Sequence, residues 1–130
     1  MNLIEFAKIA KKARNHIERW SPDCPPNFEG QCGLASFHLI RLANKKNIYP
    51  TFVGGLFIRQ NTFGHCWVTY KNFIIDITAT QFSNNFNPVH IVPVNNVHYV
   101  PDFETNSSLD AWDNIKDWVE YPFTLKWLSR

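Results

Sequence analysis

His65-Cys66-Trp67-Val68-Thr69-Tyr70-Lys71-Asn72-Phe73-Ile74-Ile75-Asp76-Ile77-Thr78 is the most regular stretch of the chain. Two runs of β-branched and aromatic residues flank Lys71-Asn72, which has the length of a two-residue hairpin loop, and Asn tolerates the positive φ that such a loop needs. The spacing predicts strands over 65–70 and 73–78. Tyr70 then faces Phe73, Thr69 faces Ile74, Val68 faces Ile75 and Trp67 faces Asp76. Side chains alternate between faces, so His65, Trp67 and Thr69 share one face with Ile74, Asp76 and Thr78. His65 and Asp76 become diagonal neighbours on that face, within reach of each other. Cys66 points to the other face. A carboxylate beside an imidazole fixes its tautomer and stabilises its cation. A slip of one residue would put the pair on opposite faces, so the reading depends on the turn.

Upstream, Glu29-Gly30-Gln31-Cys32-Gly33-Leu34-Ala35-Ser36-Phe37-His38-Leu39-Ile40 places a cysteine where a polar loop gives way to an apolar run of helical length. The first turn of a helix has N–H groups without intrahelical partners and a partial positive charge, both of which favour a thiolate. This helix is apolar almost all round, hence central, and Asn44-Lys45-Lys46-Asn47 ends it. His38 lies past its first turn and reads as a structural histidine. If the helix packs across the face that carries His65, the imidazole meets the thiol. Cys32, His65 and Asp76 then stand in the order nucleophile, base, orienter.

The remaining chain supports this frame. Leu3, Phe6, Ala7, Ala10, Ala13, Ile17 and Trp20 make one face of a helix over 2–20, with Lys8, Lys11, Lys12 and Arg14 largely elsewhere. Its short, alanine-rich apolar face suits a lid on the core better than a membrane contact. Residues 21–30 hold three prolines and form a loop leading to Cys32. Ile48 to Ile58 reads as one strand with a bulge or kink at Gly54-Gly55, and residues 59–64 as a turn. Val89 to Val94 reads as an edge strand because of Pro93. Ser107-Ser108 can cap a helix through Val119 with Trp112, Ile115 and Val119 inward, and Leu125, Trp127 and Leu128 pack back on the domain.

At 130 residues the chain has the size of a single domain, and its 45% hydrophobic and 15% aromatic content is too high for a disordered one. A net charge of +2 gives no case for nucleic acid or a membrane surface. Three cysteines, an odd number without framework spacing, argue for a reducing compartment. There is no apolar stretch of membrane-spanning length and no signal-peptide pattern, so the expectation is a cytoplasmic protein, with delivery into another cell by a specialised export route left open. Cys24, Cys32, Cys66, His65 and Asp76 are all zinc-ligand types, but none has a zinc-site spacing. The expectation is no metal and no cofactor.

Gly30-Gln31-Cys32 resembles the nucleophile motif of transglutaminase-like and papain-like cysteine enzymes. His65-Cys66-Trp67 resembles the His-x-Trp of transglutaminase-like domains, and Asp76-Ile77-Thr78-Ala79-Thr80-Gln81 their Asp-Ala-Thr segment with a Gln shortly after. The three occur in the family's order, over roughly residues 30–81. The resemblance implies a single transglutaminase-like domain over 1–130, of α+β class, with a Cys-bearing helix packed on an antiparallel sheet. It implies an acyl-enzyme on Cys32 and a protease, glutamine deamidase or acyl transferase acting on a peptide or protein. The backbone N–H of Cys32 would be one oxyanion donor, and Gln31, Asn27 or Trp20 a second. Gly33 departs from the family, where an aromatic is common. The rival expectation is an inactive binding domain that keeps the fold and uses Phe82, Phe86 and Tyr99 as an exposed peptide groove.

Overall fold

The computed structural model describes residues 2–20 and 32–118. The proline-rich loop with Cys24, Asn27 and Gln31, the side chain of Trp20, and Val119, Leu125, Trp127 and Leu128 lie outside the described residues.

Helix α1 (Leu3–Trp20) and helix α2 (Cys32–Asn44) precede strands β1 (Thr51–Ile58), β2 (Thr62–Tyr70) and β3 (Phe73–Asp76). A 3₁₀ turn (Ala79–Gln81), strands β4 (His90–Pro93) and β5 (Tyr99–Thr105), helix α3 (Ser108–Ile115) and a second 3₁₀ turn (Lys116–Trp118) follow. The strands form one antiparallel sheet in the order β4-β3-β2-β1-β5. The class is therefore α+β.

Lys71 and Asn72 have φ of 50° and 67°, and the register is Tyr70↔Phe73, Thr69↔Ile74, Val68↔Ile75, as the two-residue loop requires. β4 is an edge strand, where Pro93 costs no ladder bond. β2 begins at Thr62, three residues before the expected start, so the turn shrinks to Arg59-Gln60-Asn61. β1 is shorter than expected and starts at Thr51. β3 ends at Asp76, short of the expected Thr78, because the Asp76 side chain takes the Thr78 N–H.

β5 is an element that sequence pattern does not announce. Pro101, Asp102 and Glu104 interrupt its apolar run, and they are tolerated because it is the other edge. Gly54 pairs with Phe103 and Gly55 with Pro101, leaving Asp102 as the extra residue of a bulge. A Cβ on Gly55 would lie 2.2 Å from the Val100 carbonyl oxygen, so the approach of the two backbones needs glycine there.

The sheet buries both faces. One packs Phe52, Cys66, Val68, Ile75 and Ile77 against α1 and α2, whose Phe6, Ala10, Ile17, Leu34, Leu39 and Ile40 are buried. The other gathers Val53, Phe57, Trp67, Ile74 and Tyr99, with Phe82 and Phe86 against them. Arg14 departs from expectation. It lies in the stripe Ala10, Ala13, Arg14, Ile17 and is only 6% exposed, so it is not on the solvent face. Its guanidinium donates to the Ile77 carbonyl at 2.9 Å, to Thr80 Oγ1 at 3.0 Å and to Glu18 Oε1 at 2.9 Å, tying α1 to the segment after β3. No described helix is long and apolar enough to cross a membrane.

Candidate active site

Parity along β2 and β3 puts His65 and Asp76 on the same face. His65 Nε2 lies 2.7 Å from Asp76 Oδ2, with the two residues only 3% and 1% exposed. The carboxylate accepts three further bonds. Tyr99 Oη donates to Oδ2 at 2.7 Å, and Oδ1 accepts from the Thr78 N–H at 3.0 Å and the Thr78 hydroxyl at 3.4 Å. Burial pushes the Asp76 carboxyl up, but the charge and hydrogen bond of His65, the Thr78 N–H and the Tyr99 hydroxyl outweigh it and hold the group below its usual range. Burial likewise pushes His65 down, and the Asp76 charge and bond, with help from Cys32, carry it up to about 10. The pair is therefore carboxylate and imidazolium at neutral pH. Burial and the neighbouring carboxylate push the Tyr99 hydroxyl up, so it stays a donor.

Cys32 is the first residue of α2. The helix packs on the face of the sheet that carries Cys66, opposite the one that carries His65. The expected packing across the His65 face is thus corrected, for a simple reason: Val68, Ile75 and Ile77, which alternate with the polar set, are the side chains that bury α2. The Cys32 side chain nonetheless lies near enough to both Cys66 and His65 to bond to each. Its thiol is held well below the usual range. The hydrogen bond from the Cys66 side chain is the largest cause, burial opposes it, and the His65 bond and charge and the Cys66 N–H add to it. Cys66 is pushed up by the same bond and by burial, so it remains a thiol that donates to Cys32.

With Nε2 given to Asp76, the nitrogen left for Cys32 is Nδ1. The Gln81 amide stands 3.5 Å from Nδ1 and donates to Thr78 Oγ1 at 3.3 Å. Gln81, Thr78, Tyr99 and Cys66 thus join the three residues expected from sequence. The sequence signal for Thr78 and Gln81 was the Asp-Ile-Thr-Ala-Thr-Gln run. Tyr99 carried none, because its strand was not legible. Tyr99 is 5% exposed and Phe82 and Phe86 are half-buried, so the expected exposed aromatic groove does not include Tyr99. Of the expected oxyanion donors, Asn27, Gln31 and the Trp20 side chain lie outside the described residues.

Gly33 packs closely against α3: a Cβ there would sit 3.0 Å from Ile115 Cγ2. His38 is buried against His16, with His16 Nδ1 and His38 Nε2 3.0 Å apart. Burial, then the charges of His16, Arg41 and Lys45, push His38 down to about 3, so it is a neutral structural residue. Among the described residues no group of three His, Cys, Asp or Glu side chains converges as a metal site would require.

No protein-family model, curated protein or solved structure matches the chain.

Proposed function

We propose that the chain is a cysteine-dependent amide-bond enzyme with a transglutaminase-like or papain-like core, acting on a peptide or protein through an acyl-enzyme on Cys32. The observation that carries the reading is the commitment of His65 Nε2 to Asp76 at 2.7 Å, which leaves Nδ1 for the thiol. A thiolate beside an imidazolium is the resting state from which such enzymes react.

The Cys32 sulfur attacks the amide carbonyl carbon, forming a C–S bond and an oxyanion. In this reading the backbone N–H at the start of α2 is one donor to that oxygen and the Gln81 amide, 3.5 Å from His65 Nδ1, is a second. The oxyanion collapses, the C–N bond breaks, and Nδ1–H of His65 protonates the departing amine. Asp76 stabilises the imidazolium that gives this proton and, by holding Nε2–H, leaves the neutral ring with Nδ1 bare to act as the base. Water, deprotonated by the now neutral Nδ1, attacks the thioester. A carboxylic acid leaves and the thiolate–imidazolium pair returns. A glutamine side chain treated this way is deamidated, a peptide bond is hydrolysed, and an amine in place of water gives transfer. Cys32 beside Cys66 stays nucleophilic only while both are reduced, which suits a reducing compartment.

The test is acylation by 4-nitrophenyl acetate. Cys32 should carry an acetyl group in the mass spectrum, discharged by water or by added amine, and lost in Cys32→Ala. Cys32→Ala should keep its thermal stability, because a half-buried side chain at a helix start loses few contacts. Acylation no faster than that of a free cysteine peptide at the same pH would refute the reading.

A further inference from the structure

A cavity of about 310 Å³ lies against the site, at the lower end of the range for small-molecule pockets of ~300–1,000 Å³. The tip of the β1–β2 hairpin forms one side and the segment after β3 the other. Phe57 and Phe63 are register partners on the face that carries His65. Phe82 stacks on Phe57 at 4.1 Å and 9°, stands 5.3 Å from Phe63, and meets the His65 ring edge-on at 4.7 Å. Gln81 lines the cavity and also reaches within 3.5 Å of His65 Nδ1, so Gln81 and Phe82 are shared between the cavity wall and the surroundings of the His65 ring.

The lining has two characters. Phe57 is buried, but Phe63 is 45% exposed, an apolar ring presented to whatever enters. At the rim, Arg59 has no carboxylate partner among the described residues. Its Cζ lies 5.2 Å from the centroid of the Phe86 ring, within cation–π range. The amides of Gln60 and Asn61 sit beside it. An aromatic floor with a cation at its rim complements an aromatic group next to an anion.

We infer that this cavity is the substrate pocket of the site, and that it takes an aromatic side chain flanked in the peptide by an acidic residue, whose carboxylate pairs with Arg59. The inference rests on Cys32 being the nucleophile of the proposed function. Its failure is separable from the failure of that reading, because different reagents report the two.

Three peptidyl chloromethyl ketones provide the test: acetyl-Asp-Phe, acetyl-Lys-Phe and acetyl-Asp-Ala. In each, the Cys32 thiolate displaces chloride from the methylene carbon, and the adduct is read by mass spectrometry. Rates are expressed relative to each variant's own rate with iodoacetamide, which carries no side chain. The Asp-Phe reagent should react at least ~10-fold faster than either other, the order of one charge-assisted hydrogen bond or one buried ring. Arg59→Gln should remove the difference between Asp-Phe and Lys-Phe, and Arg59→Glu should reverse it. Equal relative rates for all three reagents, with Cys32 still acylated by 4-nitrophenyl acetate, would overturn the pocket and leave the enzyme reading intact. Failure of that acylation would overturn both.

Discussion

Asp76→Asn is the substitution that most directly separates a reacting site from a structural hydrogen bond. In the wild type, Oδ2 accepts from His65 and Tyr99 while Oδ1 accepts from the N–H and hydroxyl of Thr78. The two hydroxyls can turn and accept instead. The Thr78 N–H cannot, and His65 Nε2 can accept only if the neutral ring moves its proton to Nδ1. An amide has one oxygen, so either a buried donor is left facing an NH₂ group, at a cost of ~1–3 kcal/mol, or His65 is driven into the tautomer whose Nδ1 cannot act as a base. For a domain of this size that lowers Tm by about 3–12 °C. The larger effect is on charge. His65 stands at about 10 only because the Asp76 carboxylate outweighs burial. Without the carboxylate, burial dominates and the imidazolium is lost near neutrality, so Cys32 loses its cation. An opposite charge at this range moves a pKa by ~1–3 units, so Cys32 alkylation at about pH 6 should slow by ~10- to 1,000-fold. The two proteins should converge above about pH 10, where the thiolate forms without help. The assay is the iodoacetamide rate at Cys32 against pH, site-resolved by mass spectrometry in a Cys24→Ser background. The upper limb of the 4-nitrophenyl acetate profile should move to lower pH, following His65. An unchanged profile with unchanged rate would mean that Asp76 only holds the hairpin together.

Gly55→Ala puts a Cβ 2.2 Å from the Val100 carbonyl oxygen and 3.0 Å from Pro101 Cα, both backbone atoms that cannot swing aside. Urea unfolding should show a loss of about 3 kcal/mol or more, and a loss below about 1 kcal/mol would contradict the close approach of β1 and β5. Arg14→Met removes the donors to the Ile77 carbonyl and Thr80 while keeping the side-chain stem. It should lower stability by ~1–3 kcal/mol and slow acylation of Cys32, and normal acylation would mean that the segment after β3 needs no anchor. His38 should make the fold acid-sensitive. Its folded pKa, about 3, lies below the unfolded value of 6.5, so its contribution is complete above the unfolded value and is lost as pH falls from there toward about 3. Tm measured against pH should fall less steeply over that window in His38→Asn, and parallel curves would refute the assignment.

The parts of the fold governed by local rules were legible. The Lys71-Asn72 loop fixes the register of β2 and β3, and register fixes which residues share a face, so the His65–Asp76 pair followed from counting. Pro93 marked an edge, and Gly54-Gly55 marked the bulge. What was not legible depends on distant partners. β5 joins the sheet through β1 in spite of Pro101 and two acidic residues, and with it went Tyr99, whose hydroxyl completes the Asp76 site. Arg14 reads as a solvent-facing charge until Ile77 and Thr80 are known to stand beside it. The side of the sheet on which α2 packs is not legible either, because it is set not by the polar residues of β2 and β3 but by the more apolar alternate set of Cys66, Val68, Ile75 and Ile77.

That packing has a consequence for how stability and reactivity are linked. The charged pair sits in an aromatic layer, with Phe82 edge-on to His65 at 4.7 Å and the Trp67 ring 5.9 Å away, while the thiol belongs to the helix on the other side. An imidazolium in that layer is tolerated because Asp76 is ionised, and Asp76 is held ionised by the charge and bond of His65 first, with Thr78 and Tyr99 adding theirs. Tyr99 is delivered by an edge strand that depends on Gly55, and Thr78 by a segment that Arg14 holds from α1. Changes at Asp76, Tyr99, Gly55 or Arg14 should therefore lower stability and reactivity together. Cys32, which supports none of these bonds, is the position where the two should separate.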